Sequence, residues 1–307
     1  MGGVDWEAFR GKRIFLTGGS GFIGKWLTKA FLQANRELKL EAEIDVLIRP
    51  ESQVRFLYGL QEICDDWASG DLRIVYGDCS SFQLTKNYDL FIHGAIPRGD
   101  MREWTYAHYE MCVGDMAHVL GQAKQAGVKR FLFLSSGLVE GSIPPQDPRY
   151  FYALTKLSQE SLCHFFSKTD MQCISARIYS VLGYGMDPHY AAAKFIHQAL
   201  EEKKVTCILD QAPVRRSYLY VEDLVDKLYQ LLVSENADPR LGGTQTAIGF
   251  LAREIAKYFQ VPLETLHQTI EHEYYAPCFD PEEGTSITEA IAKTCALYEK
   301  HHAQSRP

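Results

Sequence analysis

The sequence predicts an α/β fold with a doubly wound parallel sheet and a smaller, mostly helical C-terminal lobe. Strand and helix patterns alternate over residues 1–177, which is typical of a parallel sheet with helices on both faces. Three glycines follow the first strand pattern at three-residue spacing. Beyond Gly183 the pattern is less regular. We therefore expect one domain over 1–177 and a substrate lobe over 178–307, with segments of the lobe returning to the main sheet.

The three glycines lie in "LTGGSGFIGKW", between the buried strand pattern 13–17 and a helix pattern that begins at Phe22. A turn of this kind lets the backbone approach a pyrophosphate, whose charge the helix N-terminus attracts. The alternative is a tight turn whose glycines supply unusual dihedrals. The strand and helix on either side favour a Rossmann-type dinucleotide site. Its predicted cofactor contacts are Gly18, Ser20, Gly21, Phe22, Ile23 and Gly24.

The remaining elements follow from apolar spacing. Further strands are predicted at 42–50, 71–78, 88–95, 128–136 and 171–183. Helices are predicted at 106–127, 152–166, 191–201, 222–232, 250–259 and 286–301. The helix 106–127 has Gly127 as its C-cap, and Phe165 and Phe166 are predicted to be core residues.

Composition excludes several function classes. The 307 residues are 46% hydrophobic and 23% charged, with a net charge of −7, so no basic surface for nucleic acid is expected. Eight cysteines without a CxxC pair indicate neither a zinc site nor a disulfide framework, and no metal site is predicted. The sequence has no membrane-length apolar stretch and no signal-peptide pattern. We expect a cytoplasmic protein with no nucleic-acid or membrane partner.

Tyr152 and Lys156 are four residues apart, hence one turn apart on the same helix face. Ser135 and Ser136 end the strand pattern 128–136 at the sheet edge where ligands of open α/β sheets bind. Tyr, Lys and Ser can therefore meet beside the dinucleotide. We expect the Lys156 ammonium to lower the pKa of the Tyr152 phenol. The alternative for an isolated Tyr-x-x-x-Lys is an amphipathic helix with an extended surface lysine.

These motifs together resemble the extended short-chain dehydrogenase/reductase family of nucleotide-sugar epimerases and dehydratases. The matching pieces, in order, are Thr17-Gly18-x-x-Gly21-x-x-Gly24, His93-x-Ala95, Ser135-Ser136-x-x-Val139-x-Gly141, Tyr152-x-x-x-Lys156 and Arg216-x-Tyr218-x-Tyr220-Val221-x-Asp223. The resemblance spans nearly the whole chain. Each piece is common alone, but five in order are specific.

The resemblance implies roles for individual residues. Tyr152 is similar to the family's catalytic acid/base, Lys156 to its partner that also holds the nicotinamide ribose, and Ser136 to the group that binds the reacting oxygen. Tyr152 is also an implied cofactor contact, together with Asp78, Cys79, Gly94 and Ala95. Substrate contacts are implied for Ser136, Ser180 and Arg216, the last as the group that grips the substrate diphosphate. The resemblance also implies a homodimer formed through the helices around 107–126 and 152–166.

Arg49 bears on the choice of cofactor. In this fold NAD users place an acid where the second strand ends, against the ribose 2′-hydroxyl, but the sequence here is "VLIRP". A guanidinium suits a 2′-phosphate, so we expect NADP, with NAD possible. The alternative is a solvated loop arginine.

Departures from the family pattern restrict the reaction. Gly137-Leu138 stand where dehydratases of the family have Asp-Glu, so dehydration loses its acid/base residues. Glu140 replaces the usual tyrosine, and Ser180 an asparagine. These changes count against a standard hexose 4-epimerase and indicate an altered sugar pocket.

The sequence therefore predicts an NADP-dependent oxidoreductase that reduces a nucleotide-linked 4-keto sugar. Three other functions stay open. A nucleotide-sugar 4-epimerase would use the same residues with a retained cofactor. A reductase of non-sugar ketones would share the glycine turn and the Tyr/Lys pair. A non-catalytic cofactor sensor would have no evident use for Ser136, Tyr152 and Lys156.

Overall fold

The computed structural model describes residues 3–64, 72–97, 99–141, 143–209, 214–234, 238–267 and 284–304. The chain forms two compact units. The first unit comprises Met1–Arg177 and Val225–Arg240, and the second comprises Ile178–Leu224 and Leu241–Pro307.

The described part of the chain contains the following regular elements. The strands are β1 (Arg13–Thr17), β2 (Glu43–Ile48), β3 (Leu72–Tyr76), β4 (Leu90–His93), β5 (Arg130–Ser136), β6 (Gln172–Ile178), β7 (Ser180–Leu182), β8 (Val205–Leu209), β9 (Arg215–Tyr220), β10 (Arg240–Leu241), β11 (Thr244–Ala247) and β12 (Leu263–His267). The α-helices are α1 (Phe22–Leu38), α2 (Gln53–Gln61), α3 (Tyr106–Gln125), α4 (Tyr150–Phe166), α5 (Ala191–Glu201), α6 (Val221–Val233), α7 (Ile248–Phe259) and α8 (Ile287–Gln304).

A seven-stranded parallel sheet, flanked by helices, positions the candidate site. Its strand order is β10-β6-β5-β4-β1-β2-β3. The chain winds outward from β1 in one direction through β2 and β3, and in the other through β4 and β5. Thr17 at the end of β1 pairs with His93 at the end of β4. The carboxyl ends of β1 and β4 thus flank the point where the winding direction reverses, which is where such sheets bind ligands.

Aromatic side chains form much of the core on one face of this sheet. Phe15 of β1, Phe91 of β4 and Phe131 of β5 lie in successive strands, with ring centroids 5.2 Å and 5.1 Å apart. Met116 and Leu120 of α3 belong to the same buried cluster. Close packing of this kind holds the strand ends in fixed positions, because an interior at crystal-like density cannot shift easily.

The predicted doubly wound sheet is confirmed, and β1 has the predicted bounds. Helix α4 begins at Tyr150, two residues before the predicted start, and β3 begins at Leu72, with Asp71 outside the described residues. The predicted strand 171–183 is wrong as one element, because β6 and β7 join different sheets on either side of Tyr179. Phe165 is exposed, so its predicted core position is also wrong.

The second unit contains helices α5, α7 and α8, which lie at about the positions predicted for helices, and two small sheets that were not predicted. One sheet has the order β11-β9-β7, and the other pairs β12 with β8. Of helix α6, predicted for the C-terminal lobe, residues from Val225 onward belong to the first unit. In the described residues of both units, no helix combines the length and apolar character needed to cross a bilayer.

Candidate active site

The glycine turn after β1 forms a cradle that no larger residue fits. Gly18 has a φ of +78°, and a Cβ there would lie 2.4 Å from the carbonyl carbon of Gly94. A Cβ on Gly24 would lie 2.2 Å from the carbonyl oxygen of Gly18. These contacts are with backbone atoms, which cannot move aside as a side chain would. The turn therefore needs glycine at both positions.

The cradle opens onto the N-terminus of α1. Gly21 is the N-cap residue, and its N–H donates to the Gly18 carbonyl at 3.0 Å. The first turn of α1 carries no acidic residue, and Ser20, Phe22 and Ile23 are each only half-buried. The first backbone N–H groups of a helix have no intrahelical acceptor, and the helix dipole favours an anion there. The residues present thus fit the pyrophosphate of a dinucleotide.

Arg49, Asp78 and Cys79 lie where β2 and β3 end. Arg49 directly follows β2, is exposed and lies with its Nε 3.3 Å from a carboxylate oxygen of Glu51. The Asp78 carboxylate accepts hydrogen bonds from the backbone N–H and hydroxyl of Ser80, both at 3.1 Å. Burial, together with nearby Asp115 and Asp78, raises the pKa of the Cys79 thiol to about 12, while Arg49 opposes this rise. The structure therefore groups these three predicted residues.

A buried pair joins the ends of β1 and β4. The Thr17 hydroxyl and His93 Nδ1 are 2.7 Å apart. Gly94 follows His93, and its N–H donates to the Thr17 carbonyl at 3.1 Å. The backbone N–H of Ala95 lies directly beside Gly18. Burial, with a smaller effect of the Lys156 charge, lowers the pKa of His93 to about 3, so the imidazole is neutral at pH 7.

Because His93 stays neutral when folded, we expect it to make the protein sensitive to mild acid. Histidine in the unfolded chain titrates near pH 6.5. Below that pH the unfolded chain binds a proton that the folded chain excludes, so the free energy of unfolding falls as pH falls. Between pH 7 and pH 5 the loss amounts to about 2 kcal/mol. Urea unfolding at both pH values should show this loss in the wild type and a smaller one in His93→Asn; equal losses would contradict the assignment.

Ser136 and Tyr152 meet at the carboxyl end of β5. Ser136 is the last residue of β5, and its hydroxyl accepts the Leu138 N–H at 3.2 Å at the start of the short 3-10 helix Gly137–Glu140. The Ser136 hydroxyl is also within hydrogen-bonding reach of the Tyr152 phenol, and this contact lowers the pKa of the phenol. The neighbouring Ser135 instead donates to Glu160 at 2.6 Å. Of the two serines, Ser136 alone is placed against the tyrosine by these bonds.

The expected acidification of Tyr152 by Lys156 is not what the structure shows. The Lys156 ammonium donates to the Leu134 carbonyl at 2.8 Å and lies 6.0 Å from the centre of the Tyr152 ring. Burial raises the pKa of Tyr152, and the Ser136 hydrogen bond opposes this rise. Burial also lowers the pKa of Lys156 to about 8. Lys156 is thus directed to a strand carbonyl, and Tyr152 is a neutral phenol at pH 7.

Two residues that were not predicted from the sequence also contact the site. The Trp104 ring meets Tyr152 edge to face, with centroids 5.2 Å apart, and stacks on His108 at 5.5 Å. Cys112 of α3 is close enough to Lys156 for their charges to interact, and burial raises the pKa of this thiol to about 11. Neither belongs to a local motif. The signal that could have found Trp104 is its position after β4, at the sheet edge that carries the site.

Ser180 and Arg216 lie in the second unit. Ser180 of β7 pairs with Tyr218 of β9, two residues from Arg216 in the same sheet. Arg216 is half-buried, and one of its guanidinium nitrogens donates to the Arg215 carbonyl at 3.2 Å. The two predicted substrate contacts therefore lie close together in that unit.

Comparison with known proteins identifies relatives of this architecture. The chain is 25% identical over 255 residues to the uncharacterised UDP-glucose epimerase YtcB of Bacillus subtilis, covering 77% of this chain and 76% of that one. Two UDP-glucuronic acid decarboxylases, from Xenopus tropicalis and Danio rerio, are also 25% identical, and the chain spans little more than half their length.

Solved structures share the fold over nearly the whole chain. The epimerase Mth375 of Methanothermobacter thermautotrophicus has a TM-score of 0.80 at 20% identity, covering 98% of this chain and 96% of that one. The UDP-glucuronic acid 4-epimerase of Bacillus cereus, solved with UDP-glucuronic acid and NAD, has a TM-score of 0.77 at 19% identity, covering 94% and 99%.

The family model for NAD-dependent epimerases/dehydratases matches residues 14–243, about three quarters of the chain. This match contains both the glycine cradle and the Ser136–Tyr152–Lys156 group. The chain therefore belongs to the NAD-dependent epimerase/dehydratase family, whose members are enzymes of the extended short-chain dehydrogenase/reductase type.

Proposed function

We propose that this chain is an NAD(P)-dependent oxidoreductase that reduces the 4-keto group of a nucleotide-linked sugar. The observation that carries the proposal is that Ser136, Tyr152 and Lys156 meet at the sheet edge that also holds the glycine cradle. The Ser136 hydroxyl contacts the Tyr152 phenol, and the Lys156 ammonium lies 6.0 Å from the centre of the Tyr152 ring. When bound, the nicotinamide cofactor supplies or takes up the hydride. The residues of the chain bind the reactants and move the proton.

Tyr152 and Ser136 act on the reacting oxygen. A carbonyl that gains a hydride becomes an alkoxide, which needs a proton. Because burial raises its pKa, the Tyr152 phenol is protonated at pH 7 and can donate that proton. The Ser136 hydroxyl donates a hydrogen bond to the same oxygen and stabilises its developing charge. A protonated phenol is the form that reduction of a ketone requires, whereas oxidation of an alcohol begins from the phenolate.

The remaining roles follow from family membership. Lys156 would hold the nicotinamide ribose hydroxyls, and the adenosine half would lie along Asp78, Cys79, Gly94 and Ala95. Arg216 would grip the substrate diphosphate, because a guanidinium binds phosphate oxygens in a bidentate manner. Ser180, close to it in the sheet β11-β9-β7, would contact the substrate beside it. Residues 178–307 would thus supply the substrate lobe.

For the cofactor we propose NADP, with Arg49 as the partner of the 2′-phosphate. Solved relatives were obtained with NAD, so the proposal rests on this chain's own residue at the end of β2. Arg49→Ala should weaken NADP binding by ~10-fold, the loss of one charge-assisted hydrogen bond, and leave NAD binding nearly unchanged. Isothermal titration with both cofactors measures this.

The Arg49 prediction has a matched control in Glu51, the carboxylate 3.3 Å from the Arg49 guanidinium. That carboxylate competes for the guanidinium and repels a 2′-phosphate. Glu51→Gln should therefore tighten NADP binding by ~2- to 5-fold, the range of an exposed charge pair. Equal effects of Arg49→Ala on NADP and NAD would overturn the NADP proposal.

A 4-epimerase of nucleotide sugars is the second candidate, because epimerases are prominent among the relatives and solved neighbours. Incubation of the purified protein with a panel of UDP- and dTDP-linked sugars and their 4-keto forms separates the two. Oxidation of NADPH in proportion to product supports the reductase. Turnover without added cofactor supports the epimerase. Turnover of apolar ketones, unaffected by Arg216→Ala, would point to a non-sugar reductase, and cofactor binding without any turnover to a sensor.

We also propose a homodimer. Tyr106 and Met111 of α3 and Leu157 and Phe165 of α4 are exposed, although all four are large apolar side chains. Helices α3 and α4 pack against each other, so these side chains lie on adjoining helices of the first unit. Exposed apolar side chains that cluster are typical of protein interfaces, and a second copy of the chain would cover them.

A further inference from the structure

Arg177, at the end of β6 in the first unit, binds two carboxylates at once. Its Nε and Nη2 contact the Glu160 carboxylate at 3.1 Å and 2.7 Å, which is a bidentate arrangement. Its Nη1 donates to Glu140 at 3.2 Å. The carboxylates are 10% and 13% exposed, and the guanidinium is 33% exposed. Half-buried charge-assisted bonds of this geometry are stronger than surface ion pairs.

The two carboxylates belong to the two elements that carry the candidate acid/base pair. Glu140 is the last residue of the 3-10 helix Gly137–Glu140, which begins immediately after Ser136. Glu160 lies on α4 eight residues after Tyr152, on the same helix face. Glu160 also accepts the hydroxyl of Ser135 at 2.6 Å. Arg177 therefore connects the segment that presents Ser136 with the helix that presents Tyr152.

We propose that Arg177 is a positioning residue, which fixes Ser136 against Tyr152 by holding Glu140 and Glu160 together. This inference rests on the proposed function for its catalytic consequence, but the contact that it controls exists without substrate. It also gives a reason for Glu140, which departs from the tyrosine of the resembled family. A carboxylate at this position needs a cation, and Arg177 supplies one.

Removal of the guanidinium would leave two half-buried carboxylates without this counter-charge. Loss of a counter-charge is costly for a half-buried carboxylate, so the 3-10 helix would shift to bring Glu140 closer to solvent. A cavity of about 500 Å³, lined by Glu160 and Arg177 together with Arg240, lies on the Glu160 side of this arrangement. Such a movement would draw Ser136 away from Tyr152, and displacements of about 1 Å can lower rates by ~100-fold.

The test compares Arg177→Gln with Ser136→Ala by ¹⁹F NMR of protein labelled with 3-fluorotyrosine. The resonance that disappears in Tyr152→Phe is assigned to Tyr152. The pH titration of this resonance reports the contact with Ser136 and needs no turnover. Loss of the hydrogen bond from Ser136 should raise the midpoint of the Tyr152 titration by about 0.5 to 1 pH unit in each variant. Lys156 and His108, the titratable groups next to Tyr152 and Trp104, are unchanged in both.

Double variants separate an effect on the position of Ser136 from a direct effect of the Arg177 charge. If Arg177 acts through Ser136, Arg177→Gln combined with Ser136→Ala should titrate like Ser136→Ala alone, whereas a through-space charge effect would add. The double variant Glu140→Gln/Arg177→Gln has no charge at residue 140 that requires solvation. The midpoint of its Tyr152 titration should therefore return most of the way to the wild-type value. Arg240→Gln, which removes an arginine paired with Asp238 at the same cavity, should titrate like the wild type.

The outcomes are distinct. A wild-type midpoint in Arg177→Gln, or an additive shift in the double variant, would overturn the positioning role. Kinetics on the sugar panel then report the consequence, with kcat lower by ~10- to 100-fold and KM changed by less than ~3-fold in Arg177→Gln. An inactive wild type with the expected NMR shifts would refute the proposed function and leave the Arg177 inference standing.

Discussion

Replacing Tyr152 with phenylalanine is expected to lower kcat by ~10³-fold and to leave cofactor affinity within ~3-fold of the wild type. The variant removes one hydroxyl, the group that would give the proton to the alkoxide, and general acid catalysis of this kind contributes ~10²- to 10⁴-fold. The ring itself remains, with its edge-to-face contact to Trp104. Steady-state kinetics on the substrate that the sugar panel identifies, with cofactor titration by fluorescence, measure both quantities.

Tyr150→Phe provides the matched control for Tyr152→Phe. Tyr150 is two residues earlier in α4 and makes a ring contact with Phe151, so this variant removes the same atom from the same helix. Its kcat should stay within ~2-fold of the wild type. If both variants keep full activity, Tyr152 is not the acid. If both lose activity equally, the loss comes from helix α4 rather than from the proton donor.

Replacing Gly24 with alanine should weaken cofactor binding by ~100-fold or more. The added Cβ would lie 2.2 Å from the Gly18 oxygen and 2.7 Å from the Gly19 Cα, so the turn and the first turn of α1 must move apart. The N–H groups of the cradle then no longer point at a single phosphate position. Overpacking of this kind also costs about 1–3 kcal/mol of folding free energy. Isothermal titration gives the affinity, and urea unfolding gives the stability.

Gly121→Ala, in helix α3, is the control for the cradle. A Cβ at Gly121 meets no atom within 4 Å, and alanine favours a helix interior over glycine by about 0.5–1 kcal/mol. This variant should therefore bind cofactor normally and unfold at higher urea concentration. Unchanged affinity in Gly24→Ala would show that the cofactor does not use this turn.

The elements around the glycine turn were predictable because neighbouring residues in the sequence set their ends. Strand β1 has the predicted bounds and α1 begins at the predicted Phe22, since a buried apolar run and the glycines define both ends of that turn. The continuous apolar pattern 171–183 gave no sign that β6 and β7 part at Tyr179. That division depends on which neighbouring strands each half meets, and apolar spacing does not record it. Within the described residues, strands β8 and β12 pair only with each other. Strand β12 is largely exposed, so its apolar pattern is weak.

The candidate site was predictable in its residue types but not in its contacts. The spacing of Tyr152 and Lys156 places them on one helix face, yet it cannot say that the ammonium bonds to Leu134 O, 22 residues earlier. Arg177 finds its carboxylates 17 and 37 residues away, and Trp104 reaches Tyr152 from before α3. Packing between distant elements determines these partners, and a local sequence motif does not encode that packing. Phe165 shows the converse, because an apolar residue type did not mean burial.

The bond from Lys156 to the Leu134 carbonyl has a consequence for how lysine variants are interpreted. It ties helix α4, which carries Tyr152, to strand β5, which carries Ser136, so residue 156 has a structural role as well as a charge. Any neutral replacement of Lys156 removes both the hydrogen bond to Leu134 and the positive charge. A lower kcat in such a variant would therefore combine the two losses. A dimethylated lysine keeps the cation and one N–H, and would separate the two contributions.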